Sequence, residues 1–195
     1  MKNIKILFLI VFILCLTSAS TSLRKDVLVK TDIFTIHYSE IYKEPLTVDY
    51  KVQCATGNEK RKGLDFVTND SIVTSSDADY VDNVWDKGHM APAADFNCDS
   101  EKLRKTFSYL NCALQHEKLN RGVWKNLEKH ERDLAAGGIT QVHIDVHFSS
   151  KSIKLPSGAT VPDGFTKTIK CGKIIERYYF PNTKPIKKTY GEYRQ

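Results

Sequence analysis

The sequence predicts an α+β domain rich in antiparallel strands. Three observations carry that reading. Several short runs alternate apolar and polar residues at the two-residue period of a half-buried strand, one stretch alone repeats its apolar residues at helical spacing, and turn signals rather than long linkers separate them. The 195 residues contain no internal repeat and no low-complexity run, and the length suits one domain with tails.

In chain order, "IFTIHYS" and "LTVDYKV" read as strands. In the second, Leu46, Val48, Tyr50 and Val52 alternate with polar or charged residues, which turns one face inward. Residues 58–79 are polar and looped, with "TNDS" and "SSDAD" as turn signals. "KTFSYLNCAL" reads as one further strand. "NRGVWKNLEKHERDLAA" is the helix: Val123, Trp124, Leu127 and Leu134 share a face, and Gly137-Gly138 stops it. "ITQVHIDVHF" alternates again, "PSGAT" marks a turn, and "FTKTIKCGKIIERYYF" reads as two strands folded at Cys171-Gly172. The tail, "PNTKPIKKTYGEYRQ", has two prolines and many charges and is expected to be loose.

The first residues set a compartment. A short basic start, an apolar run from Ile6 to Leu16 and the small residues "TSAS" form the pattern of a secretory signal peptide cut after Ser20. The run is shorter than the about 20 residues that span a bilayer. The organisation expected is therefore a leader over 1–20, a folded domain over 21–183 and a basic tail over 184–195. The mature chain is expected to be secreted or periplasmic, with no membrane attachment. Cys54, Cys98, Cys112 and Cys171 then meet an oxidising environment, which predicts two disulfides in any of three connectivities. None of them forms a CxxC pair, which argues against a cysteine-built zinc site. The net charge is +6, of which Lys2 and Lys5 belong to the leader, and most of the remainder sits beyond Lys173. That bias favours a polyanionic partner weakly.

The chemistry gathers in the middle third. In "VWDKGHMAPAADFN" a histidine stands in what reads as a glycine-flanked turn, where an imidazole can face a cleft and take a proton from water. Asp86 and Lys87 precede it with an acceptor and a fixed charge. Thirty-one residues on, Asn120 stands where the helix is expected to begin; its amide oxygen suits a hard cation such as Mg²⁺, and N-capping is its ordinary alternative. Glu128 follows on broadly the same side but two turns away, which suits an outer-shell partner better than a direct ligand. His143, Asp145 and His147 also share a strand face. The two histidines are about 13 Å apart along an extended chain, too far for one ion, so the set reads as a polar face rather than a zinc site.

Together these elements resemble the DNA/RNA non-specific endonuclease family, the secreted sugar-non-specific and endonuclease G type with a ββα-metal (His-Me) active site. "DKGHMAPAAD" resembles the family's Asp-Arg-Gly-His motif with one change. "SYLNCALQ" and "LNRGVWKNLE" match its next two motifs in order, with Leu114 where Pro is usual. "VPDGFTKTIK" is similar to its Val-Pro-x-x-Phe-x-Lys strand. The resemblance implies His89 as general base, Asn120 as the main protein ligand of one Mg²⁺ (with Mn²⁺ as a substitute) and Glu128 as an outer-shell partner. It further implies Arg61 as the cation that stabilises the transition state, with Lys62 less favoured, and Asn111 and Gln115 as lining or supporting residues. Lys87, counted among the catalytic residues beside a supporting Asp86, takes the place of the family's arginine and keeps its charge without the planar fork. The implied substrate is DNA or RNA, the implied assembly a homodimer. A nucleic-acid-binding protein with weakened catalysis is the alternative that Lys87 raises.

Overall fold

A six-stranded antiparallel sheet carries the molecule. The computed structural model describes residues 22–195; the leader read from the sequence lies outside them. β1 (Val27–Lys30), β2 (Phe34–Ser39) and β3 (Glu44–Lys51) form a meander, and β3 then pairs with β6 (Thr140–His147), which arrives only after the whole middle third of the chain. β7 (Gly164–Cys171) and β8 (Ile174–Pro181) close the far edge through a tight hairpin in which Gly172, at φ +57°, takes the left-handed conformation that glycine accepts without a steric penalty. The alternation read in β3 holds: Val48 and Tyr50 are buried while Asp49 and Lys51 are exposed.

The inserted third supplies the second layer. β4 (Trp85–His89) and β5 (Cys112–His116) make a two-stranded antiparallel ribbon. β5 runs directly into a helical segment built of α2 (Glu117–Leu119), a π-turn (Asn120–Trp124) and α3 (Lys125–Ala135). Leu119, Val123, Trp124 and Leu127 from this segment pack onto the inner sheet face with Ile36, Val142, Ile144, Phe165 and Phe180. Trp124 is fully buried, its ring centroid 5.5 Å from Phe165 and 5.6 Å from Phe180. Among the described residues no helix is long and apolar enough to cross a membrane.

Four expectations are corrected. "KTFSYLNCAL" is not one strand. Its start belongs to α1 (Ser100–Thr106), which the Asp99 carboxylate caps by accepting from the Glu101 and Lys102 amides; a 3₁₀ turn follows at Tyr109–Asn111, and only then does β5 begin. The helix starts at Glu117 rather than Asn120, because the His116 imidazole accepts from the Lys118 amide and serves as the cap. Of the two disulfides expected, only Cys54–Cys98 forms. Cys112 is buried in β5 with its thiol against the Tyr80 hydroxyl at 3.2 Å, and Cys171 lies at the hairpin near the Leu134 carbonyl, so the fold keeps the two apart. The tail is docked rather than loose. The Tyr193 ring stacks on Phe180 at 4.7 Å, and the Gln195 amide donates to the Arg177 carbonyl.

Candidate active site

Strand alternation puts Lys87 and His89 on one face of the ribbon and Asp86 and Gly88 on the other. His89 therefore ends a strand and is not in a turn, as its glycine neighbour had suggested. Gly88 is needed for closeness instead: a Cβ there would lie 2.6 Å from both Cβ and Oε1 of Gln115. The His89 ring is held edge-on to Phe107 at 4.8 Å and tilted against Phe66 at 4.6 Å. Its Nε2 is buried and has no protein partner. Burial, reinforced by the positive charge of Arg61, pulls its pKa down to about 3, so the imidazole is neutral and able to accept a proton.

Asn111 does not line the cleft. Its amide donates to the carbonyls of Ala91 and Thr106 and accepts from the Ala91 amide at 2.8 Å, while the Met90 amide donates to its carbonyl. It thus clamps the chain just beyond His89. Gln115 is also buried, over Gly88, and neither end of its amide has a protein partner.

The π-turn brings the helix's chemistry to the same place. Asn120 donates through Nδ2 to Asp86 Oδ2 at 2.9 Å, which ties down the nitrogen end of its amide and leaves the oxygen as the free donor atom. Arg121 Nε bonds the same carboxylate oxygen at 2.8 Å, so Asp86 orients two residues of the helix at once. Glu128, two turns on, is half-buried; burial pushes its carboxyl up to about 7, against the nearby charge of Lys167. Arg61, Lys87, His89, Asn120, Arg121, Lys125, Glu128 and Arg132 line one cleft of about 470 Å³. Lys62 does not line it, which selects Arg61 of the two upstream cations.

Behind the cleft lies a buried polar group. Lys167 and Glu131 are both fully buried and paired at 2.6 Å; Glu131 also accepts from the Tyr50 hydroxyl at 2.6 Å, and the Lys167 ammonium sits 4.2 Å from the centre of the Trp124 ring. Arg132 pairs with buried Asp95 at 2.9 Å. Sequence reasoning missed Arg121, Lys125 and Arg132 as lining residues. The four-residue step from Arg121 to Lys125, and from Glu128 to Arg132, is a signal that could have found them. It also missed Phe66 and Phe107, which pack on His89 from segments with no strand or helix period.

The donor set fits a hard cation. The cleft offers one amide oxygen and one carboxylate, and among the described residues no group of three or more His, Cys, Asp or Glu side chains is placed to hold a metal. Such a set suits an ion that keeps most of its waters. His143 is engaged elsewhere, on the outer sheet face, with Nδ1 at 2.7 Å from Asp49 and Nε2 at 3.1 Å from Asp145, while His147 bonds Thr166.

The family model for DNA/RNA non-specific endonucleases matches residues 14–191. Over 120 residues the chain is 30% identical to bovine (Bos taurus) mitochondrial endonuclease G, covering 60% of this chain and 38% of the relative. Over 123 residues it is 34% identical to the mouse (Mus musculus) mitochondrial nuclease EXOG, covering 62% and 31%. Over 83 residues it is 40% identical to a nuclease of Syncephalastrum racemosum, covering 42% and 24%. The matched segments thus span under two fifths of these relatives. A chain of the crystal structure of the EndoG/EndoGI complex superposes with a TM-score of 0.74 over 86% of this chain and 79% of that one, at 22% identity, which shows a shared fold. The family model covers most of the chain, and this chain belongs to the DNA/RNA non-specific endonuclease family.

Proposed function

We propose that the chain is a Mg²⁺-dependent endonuclease that hydrolyses phosphodiester bonds of DNA and/or RNA without sequence specificity. The observation that carries the proposal is the convergence in one cleft of the neutral His89 imidazole, the Asn120 amide and the Arg61 guanidinium. β4, β5 and the helix that follows then act as a ββα-metal unit.

In this reading His89 takes a proton from the attacking water. Arg61 meets the negative charge that develops on the phosphate. Asp86 holds the Asn120 amide so that its oxygen, together with water, can receive the cation, and Glu128 would hold one of those waters. When bound, the cation would stabilise charge on the phosphate and on the leaving oxygen. Lys125, exposed at the cleft, adds a phosphate contact that carries no base information, so cleavage is largely indifferent to sequence and weakens with salt.

Plasmid nicking with Mg²⁺, with and without EDTA, tests the reading on wild type and His89→Ala. EDTA-sensitive nicking by the wild type and none by the variant is expected, with nucleic-acid binding retained by both. A wild type that binds DNA but never nicks it would leave the weakened binding protein as the function. We also propose a secreted or periplasmic location, supported by the leader pattern over 1–20 and by the Cys54–Cys98 disulfide. A homodimer is the proposed assembly, and sedimentation of the purified chain checks it.

A further inference from the structure

Lys87 stands where the resemblance calls for an arginine, whose fork can grip a phosphate or a carboxylate, yet it is fully engaged within the protein. Its ammonium bonds Asp65 at 3.1 Å and Asp77 more closely, and Asp77 also accepts from the Tyr109 hydroxyl at 2.7 Å. The ammonium lies 5.7 Å from the ring centre of Phe66 and 5.5 Å from that of Tyr109. The Lys87 side chain is 24% exposed, whereas Asp65 and Asp77 are 75% and 69% exposed. A phosphate approaching this lysine would therefore meet two exposed carboxylates around one cation, a cluster with net negative charge.

What the lysine holds is a segment of the site. The Asp65 oxygen that it bonds also accepts from the Phe66 amide at 2.7 Å, and Phe66 is the ring that packs on His89. Arg61 is joined to the same segment by a turn, its carbonyl accepting from the Leu64 amide at 3.0 Å. Beyond Phe66 the chain is fastened independently, where Val67 exchanges backbone hydrogen bonds with Phe107 and Tyr109. Between Arg61 and Phe66 the contact with Lys87 is the one ion pair to the ribbon among the described residues.

We infer that Lys87 is a positioning residue: through Asp65 it pins the 61–66 segment onto the ribbon, setting Phe66 over His89 and Arg61 in the cleft, and it does not grip the substrate phosphate. The inference rests on the nuclease reading for its kinetic consequences and on geometry alone for its structural ones. The two roles predict opposite effects of one substitution. If Lys87 pins the segment, Asp65→Asn weakens the tether and lowers activity. If Lys87 grips phosphate, Asp65→Asn removes one of the two carboxylates that compete for the cation, Asp77 remaining, and leaves activity equal or higher.

The test compares wild type with Asp65→Asn, Lys87→Met and Lys87→Arg on a plasmid substrate, and follows the His89 ring protons by NMR, where the Phe66 ring current marks the packing. Asp65 is exposed, so its isosteric amide leaves the core intact. Asp65→Asn and Lys87→Met are expected to lower kcat by about tenfold, as a small misplacement of a reacting group does, with little change in KM. Both are expected to move the His89 signals, and Lys87→Arg, which can keep both ion pairs, is expected to retain most activity. Wild-type or higher activity in Asp65→Asn alongside a loss in Lys87→Met overturns the inference. Should the wild type not cleave at all, the nuclease reading fails, and the NMR arm still decides: His89 signals unmoved in both Asp65→Asn and Lys87→Met overturn the tether.

Discussion

His89 is neutral because it is packed between two phenylalanines and faces an arginine. Its pKa in the folded chain lies below the ordinary 6.5. Protons therefore favour the unfolded chain between those two values: the contribution of this residue to stability is complete above about 6.5 and is lost as pH falls toward about 3. Imidazole NMR should show His89 silent on acidification from neutral pH. His143 makes an internal control: burial pulls it down, but its bonds to Asp49 and Asp145 hold it above its ordinary value, so it should already be charged when His89 is still neutral. In turnover, His89→Ala should lower kcat by about 10²–10⁴-fold, the range for a lost general base. Asp86 works at one remove, by holding the nitrogen end of Asn120. Asp86→Ala should therefore raise the Mg²⁺ concentration needed for half-maximal activity by about 10–100-fold, measured by metal titration of the apo protein.

Among the elements, the helical segment carries the most function. Its apolar face was legible as a 3.6-residue period, and Trp124 and Leu127 are buried as that period requires. The π-turn at Asn120–Trp124 was not legible, because an extra residue in one turn changes hydrogen bonding without leaving a compositional mark. The role of Glu131 was equally hidden. On the sequence it is one of several charges on a polar face, but in the fold it meets Lys167 from β7 and Tyr50 from β3, far apart in the chain. Breaking this pair leaves a charge buried without its partner. Glu131→Gln should thus cost about 3–5 kcal/mol in urea unfolding, and replacing Glu131 and Lys167 together by apolar residues should cost much less. α1 was missed for a different reason: its seven residues bury little beyond Leu103 and Thr106, too short a stripe to show a period, although Asp99 is a readable cap.

At the scale of the whole molecule, the Cys54–Cys98 bridge spans 44 residues and encloses Arg61, Lys87 and His89. Replacing both cysteines with serine should lower stability by about 2–4 kcal/mol, read from the midpoint of chemical unfolding, with activity lost in parallel as the enclosed segment loosens. The antiparallel α+β class, the helix that follows β5 and the motifs holding His89, Asn120 and Glu128 were legible in the sequence, since strand and helix periods and short motifs are local properties of the chain, whereas β4, read as a turn, and the lining residues Arg121, Lys125 and Arg132 were not. Which cysteines pair, that the tail docks on Phe180, and that Lys87 spends its charge on Asp65 and Asp77 were decided only by tertiary structure. Each of these depends on distances between residues far apart in the chain, and a linear sequence carries the type of a charge or a thiol but not the identity of its neighbour in space.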